Sequence, residues 1–414
     1  MKTSGKPSLY TIVGVSAVFL LIATILAPIH NIARPLSRAT ALLAHLRSLT
    51  PSRTTTNTGT MAYERELKVA QLAVARASIL TKAVFAEKAK GTISKDDKSP
   101  VTIGDFGAQA LIIAAIKHNF PDDEVVGEEE ASTLRENKEL SSKIWNLVKD
   151  VKLNDSESDD LLGGPIQSEE KMLDAIDHGN SAGGNQGRIW ALDPIDGTKG
   201  FLRGGQYAVC LALMVDGDVK VGVLGCPNLP VDDSVPLTED LGVAAQDKDG
   251  FGVLFSAVEG EGARSQALTR GALEQGHPIH VSKISKVAEA VMCQSVESGH
   301  SSKGDNALIA EKLGIKAKPI QMDSQAKYGS VARGAGDVYL RLPVAKDYEE
   351  KIWDHAAGNI IVREAGGKIT DIHGNAIDFS LGRTLKKNKG IVATPASVHA
   401  EVLRAVSEVL ASKQ

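Results

Sequence analysis

Apolar positions along the chain fall into three patterns. One is a continuous run over residues 10–29, inside a stretch (7–33) that carries no charged side chain. That is about the length a helix needs to cross a bilayer. A second pattern is helical. Leu67, Ala70, Val74 and Ala77 recur at three- and four-residue steps and predict a helix that runs to about Lys88. Another is predicted over 105–118, ending before Pro121, with more near 306–313, 325–335, 353–364 and 396–412. The third is strand-like: 124–127, 188–192, a hairpin of 207–215 and 219–226 closed by Asp216-Gly217-Asp218, then 320–322, 338–342, 367–370 and 391–393. Residues 131–187 read as helix plus loops, with an acidic stretch (155–160) and a Gly-rich one (179–187) that have the look of solvated insertions. No repeat period is visible. The pattern predicts an α/β chain built around a mixed sheet.

Length and charge divide this picture. At 414 residues the chain is long enough for about two domains. A hydrophobic content of 43% and a charged content of 24% exclude a wholly disordered protein. The net charge of −4 hides two unlike parts. Residues 1–60 carry Lys2, Lys6, Arg34, Arg38, Arg47 and Arg53 and no acid, leaving 41 basic against 51 acidic residues in the remainder. A uniformly basic nucleic-acid binder is excluded, and no basic cluster interleaved with aromatics points to a polynucleotide partner. Residues 31–60 are rich in Ser, Thr and Arg and free of acids, as mitochondrial leaders are. The leader is therefore expected to anchor the protein in a membrane through 10–29 or to direct it to mitochondria. A start at Met61, after the polar linker 51–60, would instead leave the body cytoplasmic. Cys210, Cys226 and Cys293 are odd in number and lack C-x-x-C spacing, which argues against a disulfide framework or structural zinc and for a reducing compartment.

The chemistry concentrates in Trp190-Ala-Leu-Asp193-Pro-Ile-Asp196-Gly197-Thr198-Lys199-Gly200. An apolar strand is expected to end at Pro194, which has no N–H for the ladder, and Gly197 lets the backbone approach a ligand. Two carboxylates on one tight turn repel unless a cation sits between them. Hard oxygen donors with no nearby His or Cys favour Mg2+ over zinc. Glu128 and Glu129 follow directly on the strand 124–127; Asp105 and Asp354 open helices, where a carboxylate also serves as a cap. No G-x-x-x-x-G-K-[ST] is present, and Gly334-Ala-Gly336 is too short for a dinucleotide fingerprint.

Taken in order, Asp105, Gly127-Glu128-Glu129, Asp193-Pro-Ile-Asp196-Gly197-Thr198 and Trp353-Asp354-His355-Ala356-Ala357 resemble the lithium-sensitive, magnesium-dependent phosphatases that include inositol monophosphatases and fructose bisphosphatases. Gly299-His300-Ser301-Ser302 and Asp323-Ser324-Gln325-Ala326-Lys327-Tyr328 resemble the fungal bisphosphate nucleotidase branch of that superfamily. The likeness runs from about Met61 to the C-terminus. It implies a layered αβαβα sandwich, with an α+β metal-binding domain over 61–276, an α/β nucleotide-binding domain over 277–414 and the site between them. It further implies two or three Mg2+ ions held by Glu128, Asp193, Asp196, Asp354 and the Ile195 carbonyl. Thr198, hydrogen-bonded to Asp105, would orient and deprotonate the attacking water. Gly197, Thr198, His300, Ser324, Lys327, Arg341 and Asp354 would contact a small nucleotide, with Lys327 and Arg341 on its 5′-phosphate. The implied reaction is removal of the 3′-phosphate from adenosine 3′,5′-bisphosphate, and from its sulfated precursor. The implied setting is sulfate assimilation and salt tolerance, with inhibition by Li+ or Na+. An inositol polyphosphate 1-phosphatase, or a membrane-tethered sensor that binds nucleotide without turnover, would share much of this set. Oligomeric state is not legible.

Overall fold

The computed structural model describes residues 61–86, 92–94, 100–233, 237, 250–297, 301–345 and 347–412. The leader, the apolar run 10–29, the linker 51–60, His300 and most of the loop 228–250 lie outside these residues.

Helix α1 (Glu64–Ala86) is followed by a short pair of strands, β1 (Thr92–Ser94) and β2 (Pro100–Thr102), and by α2 (Ile103–Asn119). Strand β3 (Glu124–Gly127) leads into four short helices: α3 (Ser132–Glu136), α4 (Lys138–Val148), α5 (Ser156–Leu161) and α6 (Glu169–Asp177). Then come β4 (Arg188–Asp196), α7 (Thr198–Arg203), β5 (Ala208–Val215), β6 (Asp218–Cys226), β7 (Val253–Val258), β8 (Gly262–Ala267) and β9 (His277–Ile279). The remaining elements are β10 (Met292–Gln294), α8 (Lys303–Lys312), β11 (Ile320–Gln321), α9 (Ala326–Ala332), β12 (Val338–Arg341), α10 (Ala356–Glu364), β13 (Gly367–Thr370), β14 (Ile391–Pro395) and α11 (His399–Ala411).

Strands β3 to β9 form a seven-stranded sheet in sequence order, and β11-β10-β12-β14-β13 form a five-stranded one. In the larger sheet only the β3–β4 pair is parallel; the smaller combines parallel β11, β10 and β12 with antiparallel β14 and β13 pairings. Strand alternation sorts the side chains into layers. Trp190, Leu192, Leu211 and Leu213 face α1 and α2, whereas Ile189, Ala191, Cys210 and Ala212 face a second core shared with α9, α10 and the smaller sheet. Val338, Leu340 and Val392 point the other way, onto α8 and α11. The result is the expected αβαβα sandwich. Glycines on β6 set two of the spacings. A Cβ on Gly222 would sit 2.4 Å from Ile360 of α10, and one on Gly225 would sit 2.7 Å from Val74 of α1.

Two local expectations change. The Gly-rich stretch is not a loose insertion: Asn180 bridges Val126, and Ser181 N–H donates to the Val125 carbonyl at 3.0 Å. Within the acidic stretch, Asp159 is buried and stands 3.8 Å from the fully buried Arg76, so it supplies charge to the core. Helix α1 has the length and composition of a membrane span, but most of it is buried against α2 and the sheet, as in a soluble core helix.

Candidate active site

Strands β3 and β4 run parallel, so their C-terminal ends deliver Glu128 and Asp193 to the same edge. Pro194 does not end the ladder. Strand β4 continues to Asp196 through a bulge, with Asp193 opposite Cys210 and Asp196 opposite Ala208. The bulge absorbs the missing N–H and re-aims the side chains. Asp193 accepts a hydrogen bond from the Ile195 N–H at 3.1 Å. Gly197 then takes φ +87°, a conformation that favours glycine, and a Cβ there would meet Ser324 at 3.1 Å.

These residues open onto a cavity of about 440 Å³. Glu128, Asp193, Ile195, Asp196, Gly197, Thr198, Arg341 and Asp354 line it, as expected from sequence. Asp105, Ser324 and Lys327 stand behind this lining, all buried. Asp105 adds like charge at Asp193 from the first turn of α2. Ser324, at φ +71°, accepts from the Ala326 N–H at 3.1 Å and so turns the chain into α9. The Lys327 ammonium donates to the Met322 carbonyl at 3.3 Å and lies 5.2 Å from the Tyr339 ring centre. Its charge favours the negative form of Asp196. The Thr198 hydroxyl donates to the Ile195 carbonyl at 3.2 Å, in place of the expected bond with Asp105. His300 lies outside the described residues.

The carboxylates of Asp193, Asp196 and Asp354 each offer an oxygen, all within 4.8 Å of one another. Burial, and then the like charges of Glu128, Asp196, Asp354 and Asp105, hold Asp193 well above the usual carboxylate range. Burial also pushes Asp196 up to about 6, against the pull of Lys327 and of the Gln325 N–H, which donates to it at 2.5 Å. Asp354 rises to about 7. Crowded oxygen donors that resist ionising together form a hard-ligand set short of positive charge, which fits a divalent cation such as Mg2+.

A neighbouring trio, Glu350, Asp354 and His355, is equally close, but its Glu350 and His355 are already satisfied. Glu350 lies 2.7 Å from the Arg341 guanidinium, and His355 contacts Glu350 at 3.3 Å through Nε2 and Tyr328 at 2.8 Å through Nδ1. Both ring nitrogens are used, so the imidazole has no lone pair to give a metal.

Sequence reasoning missed part of the wall: Lys199, Glu297, Asp323, Glu350 and Lys351 also line the cavity. Arg203 pairs with Glu297 and Asp323 at its rim. Lys199 and Asp323 fall inside the motif segments, so motif neighbours were the available signal; Glu297 had none.

The model of the inositol monophosphatase family matches residues 62–411. A 3'(2'),5'-bisphosphate nucleotidase of Emericella nidulans is 65% identical over 84% of this chain and 99% of its own length. One from Schizosaccharomyces pombe is 46% identical over 84% of this chain and 97% of its own. Among solved structures, a Thermotoga maritima IMPase covers 84% of this chain and 99% of its own with a TM-score of 0.54 at 21% identity, a likeness of fold. The chain belongs to the inositol monophosphatase family.

Proposed function

We propose that this chain is a Mg2+-dependent phosphomonoesterase that removes the 3′-phosphate of adenosine 3′,5′-bisphosphate, and of its sulfated analogue, to leave the 5′-substituted nucleotide and phosphate. The observation that carries the chemistry is the carboxylate trio Asp193, Asp196 and Asp354, the first buried and the other two half-buried, opening onto the cavity. The substrate class comes from the relatives named 3'(2'),5'-bisphosphate nucleotidase.

Glu128, Asp193, Asp196 and Asp354 would hold the ions, with the Ile195 carbonyl as a neutral donor. When bound, Mg2+ supplies polarisation of phosphate oxygens and an acidified water. Arg341, Lys199 and Lys351 line the same cavity and offset substrate phosphate charge; Arg341 has the fork for two oxygens. Thr198, on the cavity wall, would orient the attacking water, and Asp105 would receive its proton through Thr198 once that hydroxyl turns from the Ile195 carbonyl to Asp105. Lys327 keeps Asp196 charged and ready to accept a cation. Ser324 and His300 are taken as contacts on the nucleoside side, as the resemblance implies.

The same reading holds the nucleotide-binding part to 277–414 and the metal-binding part to 61–276, and takes the leader as an anchor or organelle address. It also takes Li+ and Na+ as competitors for a metal position, which would link the enzyme to salt tolerance and sulfate assimilation. The test is phosphate release by the purified protein with Mg2+. Release from adenosine 3′,5′-bisphosphate well above that from an inositol phosphate is expected. The reverse preference would overturn the substrate assignment, and nucleotide binding with no release would overturn the catalytic one.

A further inference from the structure

Arg383 lies in a segment that no motif singled out. The 383–385 backbone runs beside 350–352: Ile352 N–H donates to the Arg383 carbonyl at 3.1 Å and Leu385 N–H to the Glu350 carbonyl at 2.8 Å, with Lys351 bridged to Thr384. From this strap the Arg383 side chain crosses to the other sheet. Its Nη2 donates to the Gly127 carbonyl at 2.6 Å, and its Nη1 donates to the carbonyls of Ser181 at 2.9 Å and Gly179 at 3.3 Å. The guanidinium carbon lies 4.9 Å from the Trp353 ring centre. Gly127 immediately precedes Glu128 and pairs with Leu192, the neighbour of Asp193; Trp353 immediately precedes Asp354.

We infer that Arg383 is the positioning residue that sets the distance between Glu128 and Asp354, and with it the span of the cation-binding cluster. This rests on the magnesium reading above. The two ligands come from parts of the chain more than 200 residues apart, and β3 alone cannot fix where Asp354 stands. A guanidinium can hold three carbonyls and stack on an indole at once, because its donors form a rigid planar fork; an ammonium cannot. The contact is close. A Cβ on Gly183 would meet the Gly382 carbonyl carbon at 2.9 Å, so the two loops touch backbone to backbone. Burial disfavours the Arg383 charge, and the carboxylates of Glu130 and Glu128 favour it, so the clamp also brings positive charge towards the cluster. Partners of this kind, one step behind a metal ligand, orient it and tune its affinity.

The experiment is calorimetric titration of the full chain with Mg2+ alone, comparing wild type, Arg383→Ala and Arg383→Lys, with metal-free thermal unfolding measured alongside. Arg383→Ala should weaken Mg2+ binding by about 10- to 100-fold, and Arg383→Lys should fall between it and wild type. Should Arg383→Ala fail to fold, Arg383→Lys decides, because it keeps the charge and loses the fork. A lowered unfolding temperature with Mg2+ affinity unchanged would mean a merely structural clamp and would overturn the inference. Wild type that takes up no Mg2+ would instead overturn the magnesium reading beneath it.

Discussion

Glu350, buried, and Asp354, half-buried, are carboxylates beside one cavity, yet their protons behave in opposite ways. Burial alone would raise both. At Glu350, Arg341 and His355 outweigh it and bring the group down to about 2. At Asp354, Arg341 is farther off, at 3.8 Å, and the like charges of Asp196 and Glu128 join burial to lift it to about 7. One carboxylate has its counter-charge built into the protein. The other has the same guanidinium farther away and two like charges beside it. A surplus of acid marks a candidate cation site only where the chain has not already neutralised it, which separates Asp193, Asp196 and Asp354 from Glu350.

The sharpest way to break the contrast is to remove a member of the uncompensated trio. Asp196→Asn should cut phosphate release by on the order of 10³-fold, since a bound metal contributes several kcal/mol of charge stabilisation. Steady-state rates at saturating Mg2+ check this, and near-wild-type turnover would remove Asp196 from the metal site. On the compensated side, Arg341→Met strands Glu350 as a buried charge and should cost about 3–5 kcal/mol of stability, read by denaturant unfolding. Lys327→Met should lower turnover by less than about tenfold, and equally on nucleotide and inositol phosphates, because it acts through Asp196. A selective loss on the nucleotide would mean that Lys327 meets the substrate directly. Tyr328→Phe should have the smallest effect, about 1 kcal/mol of stability from the lost His355 hydrogen bond, with turnover little changed.

Much of the fold was legible because its signals are local. The hairpin β5–β6 announces itself through alternation and Asp216-Gly217-Asp218, and β13 falls at its expected residues. The β7–β8 hairpin was legible too, from an apolar run ending in Glu259-Gly260-Glu261-Gly262, and went unread. The continuation of β4 through Pro194 was not legible, because a bulge is set by the partner strand. In the site, the candidate metal-binding acids stand in short motifs. Arg383 does not: it meets Gly127 across 256 positions. That contact arises only when the two sheets pack.

The contrast carries a sign that pH can read. Asp196 and Asp354 hold protons more tightly folded than unfolded, where carboxylates titrate near about 4. In metal-free protein their contribution is therefore full below that pH and is lost as pH rises through about 6 to about 7. Glu350 does the reverse, with stability present above its unfolded pKa and lost as pH falls towards about 2. Under the proposed reading, Mg2+ would replace the protons at the first two groups. The most direct measurement is thermal unfolding of wild type and Asp196→Asn with and without Mg2+, at about pH 8 and about pH 5. The account predicts a Mg2+-dependent rise in wild type at the higher pH that shrinks at the lower and is absent in Asp196→Asn. An equal rise in both proteins, or one indifferent to pH, would contradict it.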